Sequence, residues 1–423
     1  MLTRKSGLMV AFALWVFVLG LLLANSALML ASVPIVAYIA LLRIAQPGPH
    51  LTVSVERRAE ADSVYEGEKA GFTLRIRNDG PPIATLEVFD SLPPNVSLAT
   101  GSNRILTSLG RGETRTFRYS VEAAMFGSYE IGPIRMRATD LGRTRVEEKT
   151  VESYAALWVY PEVRYLSKMA IRPHRPRNWP GETVARRAGS GIDYYGVKDY
   201  ASGDSLRRVN WKASSRSQEI LINQYLDESG GDILVVLDFR SVSEVGSPPD
   251  SLLTHSTRAA AAIAYRLLRD RNRVGLIGMG GNLVTVAPGF GKRQFEKLLV
   301  SLLALRTGEG WDIENLPRLL SLRFSRYTQV VLVSPVLDDR ASEAVSRTST
   351  AGYSVVLVSP SPIELERSVG AAESAEGRLA EQLVRMRREA QLSWLRRYAS
   401  VVDWNTSEPL GAAVHRLAEP RSG

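Results

Sequence analysis

From Leu8 to Leu42 the chain is almost free of charge, with one polar break at Asn25-Ser26. At about 20 residues per membrane crossing that run is too long for one span. It predicts a two-helix transmembrane hairpin over residues 1–47, with spans at about 8–24 and 27–43. A cleaved leader is the competing reading of Arg4, Lys5 and the apolar residues after them, and the second apolar segment argues against it. Arg4 and Lys5 precede the hairpin, Arg43 closes it, and the turn between carries no charge. Basic residues gather on the cytoplasmic side of membrane helices. The expectation is therefore a two-span protein of the cell membrane, with the lipid bilayer as one partner and the soluble domains in the cytoplasm.

After Gln46-Pro47-Gly48-Pro49 the apolar period changes to two. Short alternating segments run over 51–55, 72–76, 86–88, 114–121, 129–136 and 155–160, separated by turn residues such as Asn78-Asp79-Gly80 and Gly110-Arg111-Gly112. Such spacing predicts an immunoglobulin-like β-sandwich over 48–160. Beyond residue 229 the pattern changes again. Apolar runs at 231–238, 273–279, 329–334 and 354–359 alternate with amphipathic stretches at 257–271, 295–305, 341–350 and 377–399. Strand and helix in alternation predict an α/β doubly wound sheet over 229–423. Ligands of such sheets sit beyond the carboxyl ends of the strands, which places Asp238, Ser334 and Asp338 near one edge.

Composition narrows the chemistry. The 423 residues contain no cysteine and only four histidines, so thiolate chemistry and zinc-thiolate sites are excluded. The histidines are scattered, none at the spacing of a helical metal pair. The net charge of +9 is spread along the chain and is not gathered into a basic run with interleaved aromatics. No nucleic-acid partner is expected.

The most distinctive stretch is 191–216, within a segment (161–228) expected to pack on the C-terminal domain. It sets Asp193, Asp199 and Asp204 among Lys198, Arg207, Arg208, Lys212 and Arg216, with Gly203 at a turn and Tyr194, Tyr200 and Trp211 as apolar anchors. One reading is a structural clasp with internal ion pairs. A second is a docking surface, because Arg, Tyr and Trp are the usual hot-spot residues of interfaces. A third makes Asp193 and Asp204 a catalytic acid pair, although no nucleophile or base accompanies them.

This stretch, from Gly191 through Gly196, Asp199, Gly203, Arg207, Asn210 and Trp211 to Arg216, resembles the signature of the family called domain of unknown function 58. Phe126-Gly127 with Gly132-Pro133, Trp158 to Pro161, and Val402-Asp403-Trp404 resemble other parts of it. The resemblance implies a von Willebrand A-like fold, membrane anchoring and frequent association with MoxR-type AAA+ ATPases, and it implies no enzymatic activity. The function expected from it is that of a membrane-tethered adaptor binding partner proteins in assembly or activation of other proteins. An extracellular metal-dependent adhesin and a hydrolase using the Asp/Arg-rich loop are the rival readings.

Folds of that kind often hold a metal through Asp-x-Ser-x-Ser, a Thr and a later Asp, oxygen donors suited to Mg2+. Here Asp238, Ser241, Ser243 and Asp338 are the candidate ligands, and the pattern is degenerate. Arg240 and Val242 hold the two serine places, and Ser241 and Ser243 come one residue late. The sequence therefore calls for no cofactor, with Mg2+ as the one cation these donors would suit. Asp238 is expected to pair with Arg240 or with an arginine of the signature.

Overall fold

The structure is a computed structural model, and it describes residues 4–45, 50–140, 142, 145–163, 166, 184–200, 209–216, 219–228, 232–368 and 375–415. The chain divides into two units, Met1–Tyr160 and Pro161–Gly423.

The first unit opens with helices α1 (Arg4–Leu22) and α2 (Ser26–Ala45). The break falls where the sequence placed it. Asn25 Oδ1 accepts the backbone N–H of Ala27 at 3.0 Å and so caps α2. The transmembrane hairpin, however, is overturned: among the described residues no helix is long and apolar enough to cross a membrane. The helices have 19 and 20 residues, and that length includes Arg4 and Lys5 in α1 and Ser26, Ser32, Pro34 and Arg43 in α2. At 1.5 Å per residue the continuous apolar part of each falls short of a hydrocarbon core about 30 Å thick. The expected fold class is corrected accordingly, to a β-rich multidomain fold led by two short helices.

Eleven strands follow: β1 (Val53–Ala59), β2 (Ser63–Tyr65), β3 (Lys69–Asn78), β4 (Ile83–Asp90), β5 (Val96–Gly101), β6 (Arg104–Leu109), β7 (Thr114–Ala123), β8 (Gly127–Ile131), β9 (Ile134–Thr139), β10 (Val146–Val151) and β11 (Ala155–Tyr160). They form two four-stranded sheets, ordered β1-β3-β7-β5 and β10-β9-β4-β6, and a three-stranded sheet, β2-β11-β8. Phe72, Leu74 and Ile76 from one four-stranded sheet share a core with Leu86, Val88 and Met136 from the other. A buried polar pin crosses that core. Tyr119 donates its hydroxyl to Asp90 Oδ2 at 2.7 Å, and Arg57 contacts the other carboxylate oxygen while donating to the carbonyls of Ile131 and Ser153. Burial and then the neighbouring Asp90 push the Tyr119 phenol upward, so it stays protonated and donates.

The second unit begins with a hairpin, β12 (Val184–Asp199) and β13 (Leu221–Glu228), with the one-turn helix α3 (Trp211–Ser214) between its strands. The main sheet follows. Its strands are β14 (Asp232–Phe239), β17 (Arg273–Gly280), β18 (Leu283–Gly289), β19 (Gln329–Val333), β20 (Ser354–Pro360) and β21 (Ser400–Trp404), ordered β18-β17-β14-β19-β20-β21. All neighbours are parallel except the edge pair β17 and β18. A two-residue pair, β15 (Gly246–Ser247) and β16 (Asp250–Ser251), lies in the connection after β14.

The helices are α4 (Leu252–Arg269), α5 (Gly291–Leu303), α6 (Leu316–Arg323), α7 (Asp339–Thr350), α8 (Ile363–Ser368), α9 (Ala375–Leu395) and α10 (Leu410–His415). Leu234, Val236, Leu332 and Leu357 join residues of α6, α7 and α9 in one core. The alternate residues Ile233, Val235 and Leu237 are equally buried, and α4 packs against β14 and β17. Burial on both faces explains why these strands read as continuous apolar runs and not as alternating ones. Gly352 at φ +92° ends α7 in a left-handed turn, a conformation that glycine adopts without a Cβ penalty.

Candidate functional site

Because β14, β19, β20 and β21 run parallel, their carboxyl ends line one edge of the sheet. Asp238 stands near the end of β14, Ser334 follows β19, Ser359 is near the end of β20 and Asp403 near the end of β21. Two arginines tie this row together.

Arg240 leaves β14 and folds back over it. Its Nε donates to Asp238 Oδ1 at 2.9 Å and its Nη2 to Asp238 Oδ2 at 3.0 Å. Its Nη1 and Nη2 reach Asp338 Oδ2 and Oδ1 at 2.7 and 3.1 Å. The side chains of Arg240 and Asp238 are each 1% exposed. Asp238 Oδ2 also accepts the Ser334 hydroxyl at 2.7 Å, and Asp338 Oδ1 caps α7 through the N–H of Ala341. Burial would raise the Asp338 carboxyl. The Arg240 hydrogen bonds, the Ala341 N–H and the two nearby guanidiniums outweigh it and hold that carboxyl below the ordinary range. Burial alone would ease the proton off Arg240, and the two carboxylates hold it on.

The second arginine is Arg388 of α9, buried at 7% exposure. It donates to Asp403 Oδ1 at 2.7 Å, to the Ser359 carbonyl and hydroxyl at 3.0 and 3.1 Å, and to the Pro335 carbonyl at 3.0 Å. Pro335 precedes Val336, a buried β-branched residue at φ +52°. That backbone is strained, and it is held on one side by Arg388 and on the other by the Val336 N–H, which donates to Ser334 Oγ at 3.2 Å.

The edge thus brings together two of the four expected metal ligands, Asp238 and Asp338, with a guanidinium between them. Ser241 and Ser243 form a single 3-10 turn outside that network. Ser241 is exposed, and the buried Ser243 hydroxyl has no partner among the described residues. Among the described residues no group of three or more His, Asp or Glu side chains is placed to hold a metal ion. The donor oxygens are of the kind Mg2+ takes, but Arg240 already fills their interval with positive charge, so the residues present do not fit a divalent cation.

Of the signature residues, Gly203, Asp204, Arg207 and Arg208 lie outside the described residues. Asp193 and Tyr194 are placed as backbone of β12. Asp199, Tyr200, Trp211, Lys212 and Arg216 are exposed. Tyr200 and Ile220 face each other across the hairpin through the Tyr200 N–H and the Ile220 carbonyl (2.8 Å), while Asn210 caps α3 through the Ala213 N–H. Trp211 is 70% exposed and Tyr200 40%. Ile220, opposite Tyr200, is 46% exposed, and Lys212 and Arg216 are exposed on and just after α3.

Residues 196–390 match the family described as Protein of unknown function DUF58. The match takes in Trp211, both aspartates of the Arg240 pair and Arg388. Uncharacterized protein YeaD of Bacillus subtilis (strain 168) is 20% identical over 257 residues, 59% of this chain. The chain spans 61% of that relative's length. Among solved structures, native alpha-2-macroglobulin from Escherichia coli is 21% identical over 27% of this chain and 17% of that one, with a TM-score of 0.22. A FixG-related protein from Vibrio parahaemolyticus is 15% identical over 25% of this chain and 95% of that one, at 0.18. Likenesses at these scores carry no argument about fold or activity.

Sequence reasoning named Asp238, Ser334 and Asp338 but missed Arg388, because the arginines of 378–397 read as one solvated helix face. The available signal was Asp403: a charged residue inside the apolar run Val401 to Trp404 needs a partner.

Proposed function

We propose that this chain is a non-enzymatic binding protein that recruits another protein through the β12–β13 hairpin and α3. A MoxR-type AAA+ ATPase is the partner class that the family resemblance suggests. The observation that carries the proposal is the 70% exposure of Trp211 on α3, in a hairpin that also exposes Tyr200 and Ile220. A Trp on a one-turn helix with no covering core contributes nothing to folding, whereas large exposed aromatics with flanking cations are the anchors of protein interfaces. The charged groups of the sheet edge support a non-catalytic role. Asp238, Asp338 and Asp403 are engaged by Arg240 and Arg388, and a guanidinium neither gives nor takes a proton near neutral pH.

The adhesin reading requires a divalent cation, and the position of Arg240 between the two carboxylates weighs against it. The test is capture of a purified MoxR-type ATPase by the full chain and by Trp211→Ala and Tyr200→Ala variants. Loss of about 2 kcal/mol of binding, roughly thirtyfold, is expected for Trp211→Ala with an unchanged melting temperature. Unchanged capture by folded variants would refute the proposal.

A further inference from the structure

The opposite edge of the main sheet carries a second surface. Below the amino ends of β19, β20 and β21 lies an open groove of about 920 Å³. Its walls present Arg326, Arg396 and Arg397 with Tyr327, Tyr353 and Tyr398, interleaved with serines, and among the described residues no carboxylate lines it. All three arginines are exposed, and Tyr327 is 57% exposed. Beside the groove Trp394, itself exposed, packs on Tyr398 with ring centroids 4.9 Å apart.

Arginines near the carboxyl ends of helices have an ordinary role, which is to offset the helix dipole. Here α7 and α9 both end at the groove, and each end carries a partial charge of about −0.5. Three full positive charges exceed that, so the groove stays electropositive. Other surface arginines of this unit do have carboxylate partners, among them Arg340 with Asp312 and Arg347 with Glu343. A surface of Arg, Tyr and Trp with only hydrogen-bond donors to offer an anion, and with room for several residues, matches an acidic protein segment.

We infer that this groove binds an acidic peptide segment of a partner protein, with Arg326 and Arg397 taking its carboxylates and Tyr327 and Tyr398 its apolar stems. A second copy of this chain is the wrong occupant, since the chain carries a net charge of +9. The inference is independent of the hairpin surface, which lies on other residues.

The test is fluorescence polarisation of a fluorescein-labelled peptide of alternating Glu and Ala, titrated with the full chain. Binding is expected to weaken as salt rises, and an alternating Lys and Ala peptide is expected not to bind. Arg326→Ser combined with Arg397→Ser weakens it roughly tenfold, Tyr327→Ser weakens it without touching the core, and Arg293→Ser, an exposed charge on α5, leaves it unchanged. Equal loss in Arg293→Ser, no loss in the groove variants, or full competition by inorganic phosphate at the peptide's own concentration would overturn the inference. Should the double variant fail to fold, Tyr327→Ser decides the matter by the same readout.

Discussion

Arg240 and Asp338 stand 98 positions apart in the chain and 2.7 Å apart in the fold. The pair joins the loop after β14 to the first turn of α7, and Asp238 completes it from below. Removing the guanidinium leaves two carboxylates facing each other in a buried place. Arg240→Ala is expected to destabilise the fold by about 3–5 kcal/mol, measured as a shift in the urea midpoint. A cost near zero would mean the pair is not buried in solution.

The same guanidinium predicts indifference to divalent metal. Adding Mg2+ or EDTA to the wild-type chain is expected to leave its melting temperature unchanged, because no cation can enter between Asp238 and Asp338 while Arg240 is there. A rise with Mg2+ that saturates would contradict this.

Acid is expected to loosen this edge. The folded Asp338 carboxyl titrates below its ordinary value of 3.8, so between the two values the unfolded chain binds more protons than the folded one. Stability from this group is therefore fully present above the ordinary carboxylate range and is lost as pH falls through the depressed folded value. Urea midpoints measured from neutral to acid pH should fall in that window, and less steeply in Asp338→Asn, which has no carboxyl to titrate.

Arg388 makes a prediction of a different kind. Its partner Asp403 is 46% exposed and can return to water, but the Pro335 and Ser359 carbonyls lose a buried donor. Arg388→Lys keeps the charge and loses the fork, and is expected to cost about 1–3 kcal/mol. Asp403→Asn should cost less than that, by thermal melting of both variants.

Gly280 closes β17 beside the site. A Cβ there would press on the carbonyls of Phe239 and Arg306, the latter 2.8 Å away. Both obstacles are backbone and cannot swing aside, so Gly280→Ala is expected to destabilise by about 1–3 kcal/mol, read from chemical unfolding.

Local pattern sufficed for much of the architecture. The strands at 231–238, 273–279, 329–334 and 354–359 were legible because a strand buried on both faces must be apolar throughout, and α7 and α9 because their apolar residues recur at helical spacing. The helix break at Asn25-Ser26 was legible as the one polar interruption of the apolar run. The short strands β2, β5, β6 and β10 were not, since their exposed faces carry polar residues with little alternation. Tyr129 to Met136 read as one strand, but Gly132-Pro133 divides it into β8 and β9 in different sheets.

What the sequence determined by itself is what depends on neighbours within a few positions: periodicity, caps, turns and the absence of thiol chemistry. It also named Asp238, Arg240 and Asp338 of the sheet edge, though not Arg388. Only the tertiary structure decided that Arg240 lies between Asp238 and Asp338, that Arg388 turns inward to Asp403 while its helical neighbours face water, and that Trp211 stays uncovered. Those outcomes depend on strand order, which brings together residues some 15 to 98 positions apart. Pairing across such distances is set by how sheets and helices close over a common core, and no local pattern encodes it.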